Sequence, residues 1–348
     1  MKMQGVWTAL VSPVTPEFAL DVAGLEKNVE FQISEGIAGT VPAGTTGESP
    51  TLSWDEHNEV IDRVLKQCKG RCGVLAGTGS NSTAETVENT RRAVGSGAEA
   101  VLMVDCYYNG PSSQELRDEY YSIVAAEFPD VTIVPYIIPG RSGTALAVED
   151  LALLYARYPN VSVVKEATGD LQRMAKTRSL LGDDFSIMSG DDDITFTMLT
   201  DRSIRANGAI SVMSNIIPGA IVKMADAVKN GDLEAATTIC DGVGPLFGVV
   251  TVKVDNPRLL PNGQTAVVSD RYRNPLAVKT LMAGLGMPSG LCRRPLGKMA
   301  KTGVDVVRSA VKQVWDHYPE ALQPIESFFG VDVAARIADD SVWGALTL

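Results

Sequence analysis

The sequence predicts an α/β fold, a closed (β/α)8 TIM barrel followed by a helical C-terminal region. Two observations carry that expectation. Eight short apolar runs rich in β-branched residues recur over roughly the first 215 positions, the count and size of such a barrel. Helical periodicity fills the gaps between them, and several gaps open with capping signatures.

The runs cover residues 6–14, 39–44, 73–77, 100–105, 131–137, 161–167, 186–190 and 208–214. They are continuously apolar, as expected for parallel strands buried on both faces. Between them, Leu25, Val29 and Ile33, and then Val60, Ile61, Val64 and Leu65, recur at helical spacing. Ser53 with Glu56, Ser82 with Glu85 and Ser112 with Glu115 form S-x-x-E capping boxes. An open Rossmann-like sheet is the alternative, but Gly77-Thr78-Gly79-Ser80-Asn81-Ser82 lacks the third glycine of the dinucleotide fingerprint and no Walker P-loop occurs.

Beyond about residue 215 the alternation stops, leaving helical segments at 218–229, 233–247, 275–285, 304–318 and 324–338. The chain is therefore read as a catalytic barrel over residues 1–230 and a helical region over 231–348. Residues 251–273, rich in Val, Asn, Pro and Gly, suit a long loop or an extra hairpin that turns at Pro261-Asn262-Gly263. A tail from about residue 318 is amphipathic, with exposed-looking aromatics at Phe328, Phe329 and Trp343. It is expected to pack on the barrel or on another subunit, because a lone barrel would leave it as an apolar patch.

With 348 residues, 45% hydrophobic and 21% charged, the chain can bury a large core. A net charge of −11 and a pI near 4.8 argue against nucleic acid as a partner. Small anionic substrates would need locally placed cations. The five cysteines are odd in number and scattered, which fits free thiols and a cytoplasmic location. Cys68-x3-Cys72 has no second pair to complete a zinc set, and no metal is expected. No apolar run approaches the roughly 20 residues of a membrane helix, and residues 6–11 are too short for a signal-peptide core.

In a barrel of this kind chemistry sits at the C-terminal ends of the strands. Lys165 stands out there, delivered by Val161-Ser162-Val163-Val164 to the end of a strand buried on both faces. A water-poor site would favour the neutral amine that attacks a ketone. The competing reading is a structural ion pair with Glu166 or a neighbouring acid. The two histidines, His57 and His317, fall at no strand end, so Tyr136, Thr45 and Tyr108 become the proton movers, or else merely pack. Thr45-Thr46 between glycines offers donors to a carboxylate. Arg141, in Pro139-Gly140-Arg141-Ser142-Gly143, presents a planar fork for a second one, or is a solvated turn arginine. Asp191-Asp192-Asp193 could hold Mg2+ but equally suits a helix N-terminus. Serine-hydrolase and zinc-protease motifs are absent.

Taken in order, Gly44-Thr45-Thr46-Gly47-Glu48-Ser49, Tyr107-Tyr108-Asn109, Tyr136 with Pro139–Ser142, Lys165-Glu166-Ala167-Thr168-Gly169, Ser189-Gly190-Asp191-Asp192 and Gly208-Ala209-Ile210-Ser211-Val212 resemble the dihydrodipicolinate synthase family. The resemblance spans about residues 5–245, with a weaker match near residues 274–312. It implies a Schiff-base lyase that condenses pyruvate with L-aspartate 4-semialdehyde in lysine and diaminopimelate biosynthesis, with no cofactor beyond a covalent imine on Lys165. It further implies Tyr136, Thr45 and Tyr108 as the relay, Tyr108 reaching in from a neighbouring subunit of a homotetramer or homodimer. Thr46 would hold the pyruvate carboxylate, the backbone around Gly190 and Ile210 would line the pocket, and Arg141 would hold the semialdehyde carboxylate. N-acetylneuraminate lyase and 2-keto-3-deoxy sugar acid aldolases share the barrel and the lysine, so another pyruvate aldolase stays open, as does a barrel that only binds or regulates. The resemblance also implies feedback inhibition by L-lysine at Ser49, Trp54, His57, Asn81, Glu85 and Tyr107. Ile137, where the family carries asparagine, is placed to reshape the acceptor pocket, and Cys106 replaces the usual proline.

Overall fold

The structure is a computed structural model that describes residues 2–348. Eight parallel strands close into one barrel in chain order: β1 (Gly5–Ala9), β2 (Gly39–Val41), β3 (Gly73–Gly77), β4 (Ala100–Val104), β5 (Thr132–Ile137), β6 (Val163–Glu166), β7 (Ser186–Ser189) and β8 (Gly208–Ser211). The open-sheet alternative is excluded by the pairing of β1 with both β2 and β8, in which Trp7 faces Gly39 on one side and Ile210 on the other. The Trp7 indole fills the N-terminal half of the barrel. A Cβ on Gly39 or on Gly73 would lie 2.3 Å from that ring, so glycine at both positions makes room for it.

Strand alternation divides the core in two. Leu75, Leu102, Val134, Val163 and Met188 point to the barrel axis, while Ala76, Val101, Ile133, Val164 and Ile187 meet the surrounding helices. The helix Trp54–Cys68 carries the full reciprocal capping box of Ser53 and Glu56, and Ser112 with Glu115 makes another. At Ser82 only half the box forms. Ser82 accepts from the Glu85 amide, but the Glu85 carboxylate instead accepts from Ser80 Oγ at 2.6 Å.

The C-terminal region begins with helices Pro218–Lys229 and Leu233–Phe247, as expected. The second, extended to Val250, is one stretch long and apolar enough to cross a membrane by length and composition, which the sequence reading passed over. Its inner face, Ala236, Ile239, Val243, Leu246 and Phe247, is buried in the protein core. That core runs from Val6 and Phe31 through Met188 to Val311 and Trp343, so the packing draws no separate core at residue 230.

Residues 251–273 form a hairpin, β9 (Thr251–Leu259) paired antiparallel with β10 (Thr265–Arg273). The tail is packed, not exposed-looking. The expected helix 324–338 is two, Gln323–Phe329 and Val333–Ala338, parted by Gly330 in a left-handed turn at φ 71, and a third follows at Asp340–Ala345. Phe328 and Phe329 sit 5.2 and 5.1 Å from the ring of Phe31. Trp343 is buried over Gly284, where a Cβ would come within 2.4 Å of the indole.

Candidate active site

β6 delivers Lys165 to the C-terminal rim in register with Tyr136 on β5 and Met188 on β7. Lys165 is 4% exposed and its Nζ lies 4.2 Å from the centroid of the Tyr136 ring. The structural ion pair considered from sequence does not form. Glu166 faces outward, fully buried, and receives Arg173 Nε at 3.1 Å. Among the described residues no carboxylate reaches ion-pair distance of Lys165. Burial is the main cause that lowers its pKa to about 8; Asp191 and Asp192 oppose the shift and Arg141 adds to it.

Burial likewise pushes the Tyr136 hydroxyl up to about 12, with Arg141 and a hydrogen bond to Thr45 acting the other way. Tyr136 is thus a neutral phenol beside a readily deprotonated amine. Gly190 closes the floor: its amide donates to Glu166 O at 2.7 Å, and a Cβ there would lie 2.7 Å from Ala167 Cβ and 3.2 Å from Lys165 Cε. A cavity of about 200 Å³ opens above, lined by Tyr136, Arg141, Gly190, Asp191, Arg271 and Asn274 among others. Burial, chiefly, raises Asp191 to about 6.

The Gly44–Ser49 loop supplies Thr45 to a neighbouring cavity of about 430 Å³, whose lining also includes Arg141, while Thr46 is buried and accepts from Asn274 Nδ2 at 2.9 Å. Asn274 also presents its carbonyl to Arg141 Nη2 at 2.8 Å, so one residue ties the threonine loop to the arginine turn Pro139–Ser142. Glu48 closes the loop in a left-handed conformation (φ 56) and accepts from buried Lys279 at 2.5 Å and from the Arg293 amide at 2.9 Å.

Tyr108, at φ 79 and 92% exposed, points away from its own barrel, and the chain does not bring it to Lys165. The Ile210 side chain is buried among the barrel-axis residues, which leaves only its backbone to meet a ligand, and Val212 lines the cavity nearby. Ile137 faces the outer helices, so Ile138, not Ile137, borders the acceptor side. Asp192 accepts from Ser211 Oγ and from the amides of Val212 at 2.9 Å and Met213 at 3.1 Å, which makes it a brace for the β8 turn.

Five of the six residues of the implied lysine site fall in two groups around the 77–82 loop. Trp54, half exposed, stands edge-on to His57 at 5.4 Å, and burial lowers His57 to about 4 against a hydrogen bond with the Gly77 backbone. On the other side Tyr107 bonds the Asn81 backbone and feels the Glu85 charge, which together with burial, the larger cause, raises its pKa. Ser49 opens a 3-10 turn beside Glu48.

Asn274, the Glu48 to Lys279 pair and the hairpin arginines were missed from the sequence. The only signal was the weak match after residue 274.

A profile described as the dihydrodipicolinate synthetase family matches residues 2–314. The chain belongs to that family. It is 39% identical over 299 residues to 4-hydroxy-tetrahydrodipicolinate synthase of Geobacter sulfurreducens, covering 86% of this chain and 94% of the relative. The synthase of Methanococcus aeolicus is 35% identical over 311 residues, covering 89% and 99%. Among solved structures, the 4-hydroxy-tetrahydrodipicolinate synthase of Methylacidiphilum fumariolicum SolV superposes with a TM-score of 0.81 at 33% identity, over 94% of this chain and 100% of that one. A lysine-bound structure of the Cyanidioschyzon merolae enzyme gives 0.79 at 32%, covering 89% and 98%. The family match ends before the tail helices, which pack on the common fold as an addition.

Proposed function

We propose that the chain condenses pyruvate with L-aspartate 4-semialdehyde through an imine on Lys165, giving 4-hydroxy-tetrahydrodipicolinate for lysine and diaminopimelate biosynthesis. The observation that carries this reading is a buried, unpaired lysine amine held under a neutral tyrosine at the C-terminal rim of a barrel of this family. Lys165 attacks the pyruvate ketone and water leaves. Tyr136, through Thr45, hands the proton needed for dehydration and takes one at the methyl carbon, forming the enamine. The enamine attacks the aldehyde carbon. The acceptor's amine then adds to the imine carbon, closing the ring and releasing Lys165. Tyr108, exposed on its own protomer, fits a relay completed by a second copy of the chain, as a homotetramer or homodimer would allow. Thr46 and the backbone at Gly190 face the pyruvate side, and Arg141 faces the acceptor carboxylate. No metal or organic cofactor enters these steps.

Borohydride added with pyruvate should inactivate the enzyme and add the mass of reduced pyruvate to the peptide carrying Lys165. An adduct elsewhere, or none, would overturn the imine. A coupled assay should then show turnover with aspartate semialdehyde and not with N-acetylneuraminate or 2-keto-3-deoxygluconate; the reverse preference would reassign the acceptor.

Feedback by L-lysine is proposed at the six residues Ser49, Trp54, His57, Asn81, Glu85 and Tyr107. Glu85 can pair with an ammonium, Asn81 and Tyr107 can donate to a carboxylate, and the exposed Trp54 face can receive the alkyl chain. Tyr107 adjoins Tyr108, so ordering one shifts the other. Lysine titrated at fixed pyruvate should inhibit, and Glu85→Ala should abolish the inhibition. Full activity in lysine at millimolar concentrations, with no calorimetric heat, would make the six residues plain structure.

A further inference from the structure

β10 leads directly into Asn274, and its two-residue period sends Arg271 and Arg273 to one face of the ribbon, toward the lysine cavity. Tyr272 between them turns to the other face and accepts from the Ala300 amide at 3.1 Å. Arg271, Arg273 and Arg141 together line both the cavity bordered by Tyr136 and Gly190, the neighbours of Lys165, and the adjoining one beside Thr45. Among the described residues none of the three has a carboxylate partner at ion-pair distance. The neighbouring hairpin arginine shows the contrast: Arg258 pairs with Asp270 at 2.6 Å.

The three guanidiniums are differently employed. Arg141 gives one nitrogen to Asn274 O and Arg273 gives one to Gly140 O at 2.6 Å, which braces the turn that carries Arg141. Among the described residues the Arg271 guanidinium has no hydrogen-bond or ion-pair partner. In a chain of net charge −11, three cations around one opening, offset only in part by Asp191 in the same lining, are a local field of opposite sign. Arg271 and Arg273 both act electrostatically against Arg141, a repulsion that an entering anion relieves. The field can thus act on the anionic ligand before and during capture, where the open mouth focuses it.

We propose that Arg271 is a specificity-determining residue of the acceptor site, sharing the carboxylate of an anionic aldehyde with Arg141, and that Arg273 is a positioning residue for the Arg141 turn. The hairpin is thereby part of the acceptor site. This rests on the pyruvate condensation proposed above, with the hairpin acting only after the imine has formed.

The test compares wild type with Arg271→Gln and Arg271→Lys. Borohydride trapping at saturating pyruvate should be unchanged in all three. The KM for aspartate semialdehyde should rise roughly 10-fold or more in the glutamine variant and recover in part with lysine, and the fall of kcat/KM with added salt should become shallower. A KM within about twofold of wild type and an unaltered salt slope would overturn the proposal. A binding measurement separates it from the choice of acceptor: the borohydride-reduced pyruvate adduct is titrated calorimetrically with succinic semialdehyde, a carboxylate aldehyde lacking the amino group. Binding to the wild-type adduct and weakened binding to the Arg271→Gln adduct support the shared grip whether or not aspartate semialdehyde is turned over. Equal binding to both overturns it. Loss of trapping in wild type would instead sink the imine reading and the hairpin proposal with it.

Discussion

At the scale of single residues, the chemistry hangs on how much of the Lys165 amine is neutral. A pKa of about 8 leaves roughly a tenth of it unprotonated at pH 7, against about one part in three thousand for an ordinary lysine. The rate of pyruvate-dependent borohydride inactivation should therefore rise about tenfold per pH unit up to about pH 8 and then level off. A rise continuing to pH 10 would mean an unperturbed amine. The shift has a stability counterpart. Because the folded pKa is depressed, the unfolded chain binds more protons between about pH 8 and 10.5, so stability rises with pH across that window. Below it the buried ammonium costs on the order of 3 kcal/mol, and Lys165→Met should melt higher than wild type at pH 7, with the gap closing by about pH 10.5. Lys165 was legible in the sequence because a lone cation at the end of an apolar run is conspicuous. Asn274 was not, since its meaning lies in touching Thr46 and Arg141, far away in the chain. Tyr108 could be named from the sequence as a hydroxyl at a strand end, but only the family resemblance assigned it to a neighbouring subunit, and on its own protomer it is exposed.

Elements were legible where hydrophobic pattern alone decides them and illegible where a tertiary contact ends them. Seven of the eight strands lie within the predicted runs, β1 starts one residue early at Gly5, and β3 matches its run at both ends. The run at 6–14 overshoots because β1 loses its ladder after Ala9. Leu10 still donates to Val41 O, but the chain then swings to a bridge between Val14 and Leu20. The run at 208–214 overshoots because Asp192 captures the amides of Val212 and Met213 and turns the chain into a 3-10 helix. Neither event has a local sequence mark. The insert could be narrowed only to loop or hairpin, since its strands are largely exposed and alternate weakly. The 44–49 loop is the clearest case of an element fixed from afar: Glu48 holds its left-handed turn against a lysine from the helix Leu276–Leu285. A charge pair this deeply buried defines geometry more than it adds stability, and removing one partner would strand the other. The C-terminal region therefore helps shape the site even though most of its residues are remote from it.

At the scale of the whole molecule, the tail closes a surface that the barrel leaves apolar. Phe328 and Phe329 cluster on Phe31, Lys27 sits 5.1 Å from the Phe329 centroid, and Trp343 seals Gly284. Arg336 donates to the carbonyls of Ala283 and Gly284, satisfying the C-terminal end of the helix that carries Lys279. Cutting the chain after residue 318 would uncover Phe31 and the Gly284 surface and free those carbonyls. Burial of three aromatic side chains is worth several kcal/mol even after discounting for residual burial in the unfolded chain, at roughly 25 cal/mol per Å². Deletion of residues 319–348 should therefore lower the melting temperature by roughly 10 °C or more. Because Arg336 and Trp343 meet the helix bearing Lys279, the loss should also loosen the Glu48 loop and raise the KM for pyruvate. The truncated enzyme is to be measured by differential scanning calorimetry and by steady-state kinetics at a temperature where it is fully folded. A truncated protein with unchanged melting and unchanged pyruvate KM would show that the tail covers a surface without supporting the site beneath it.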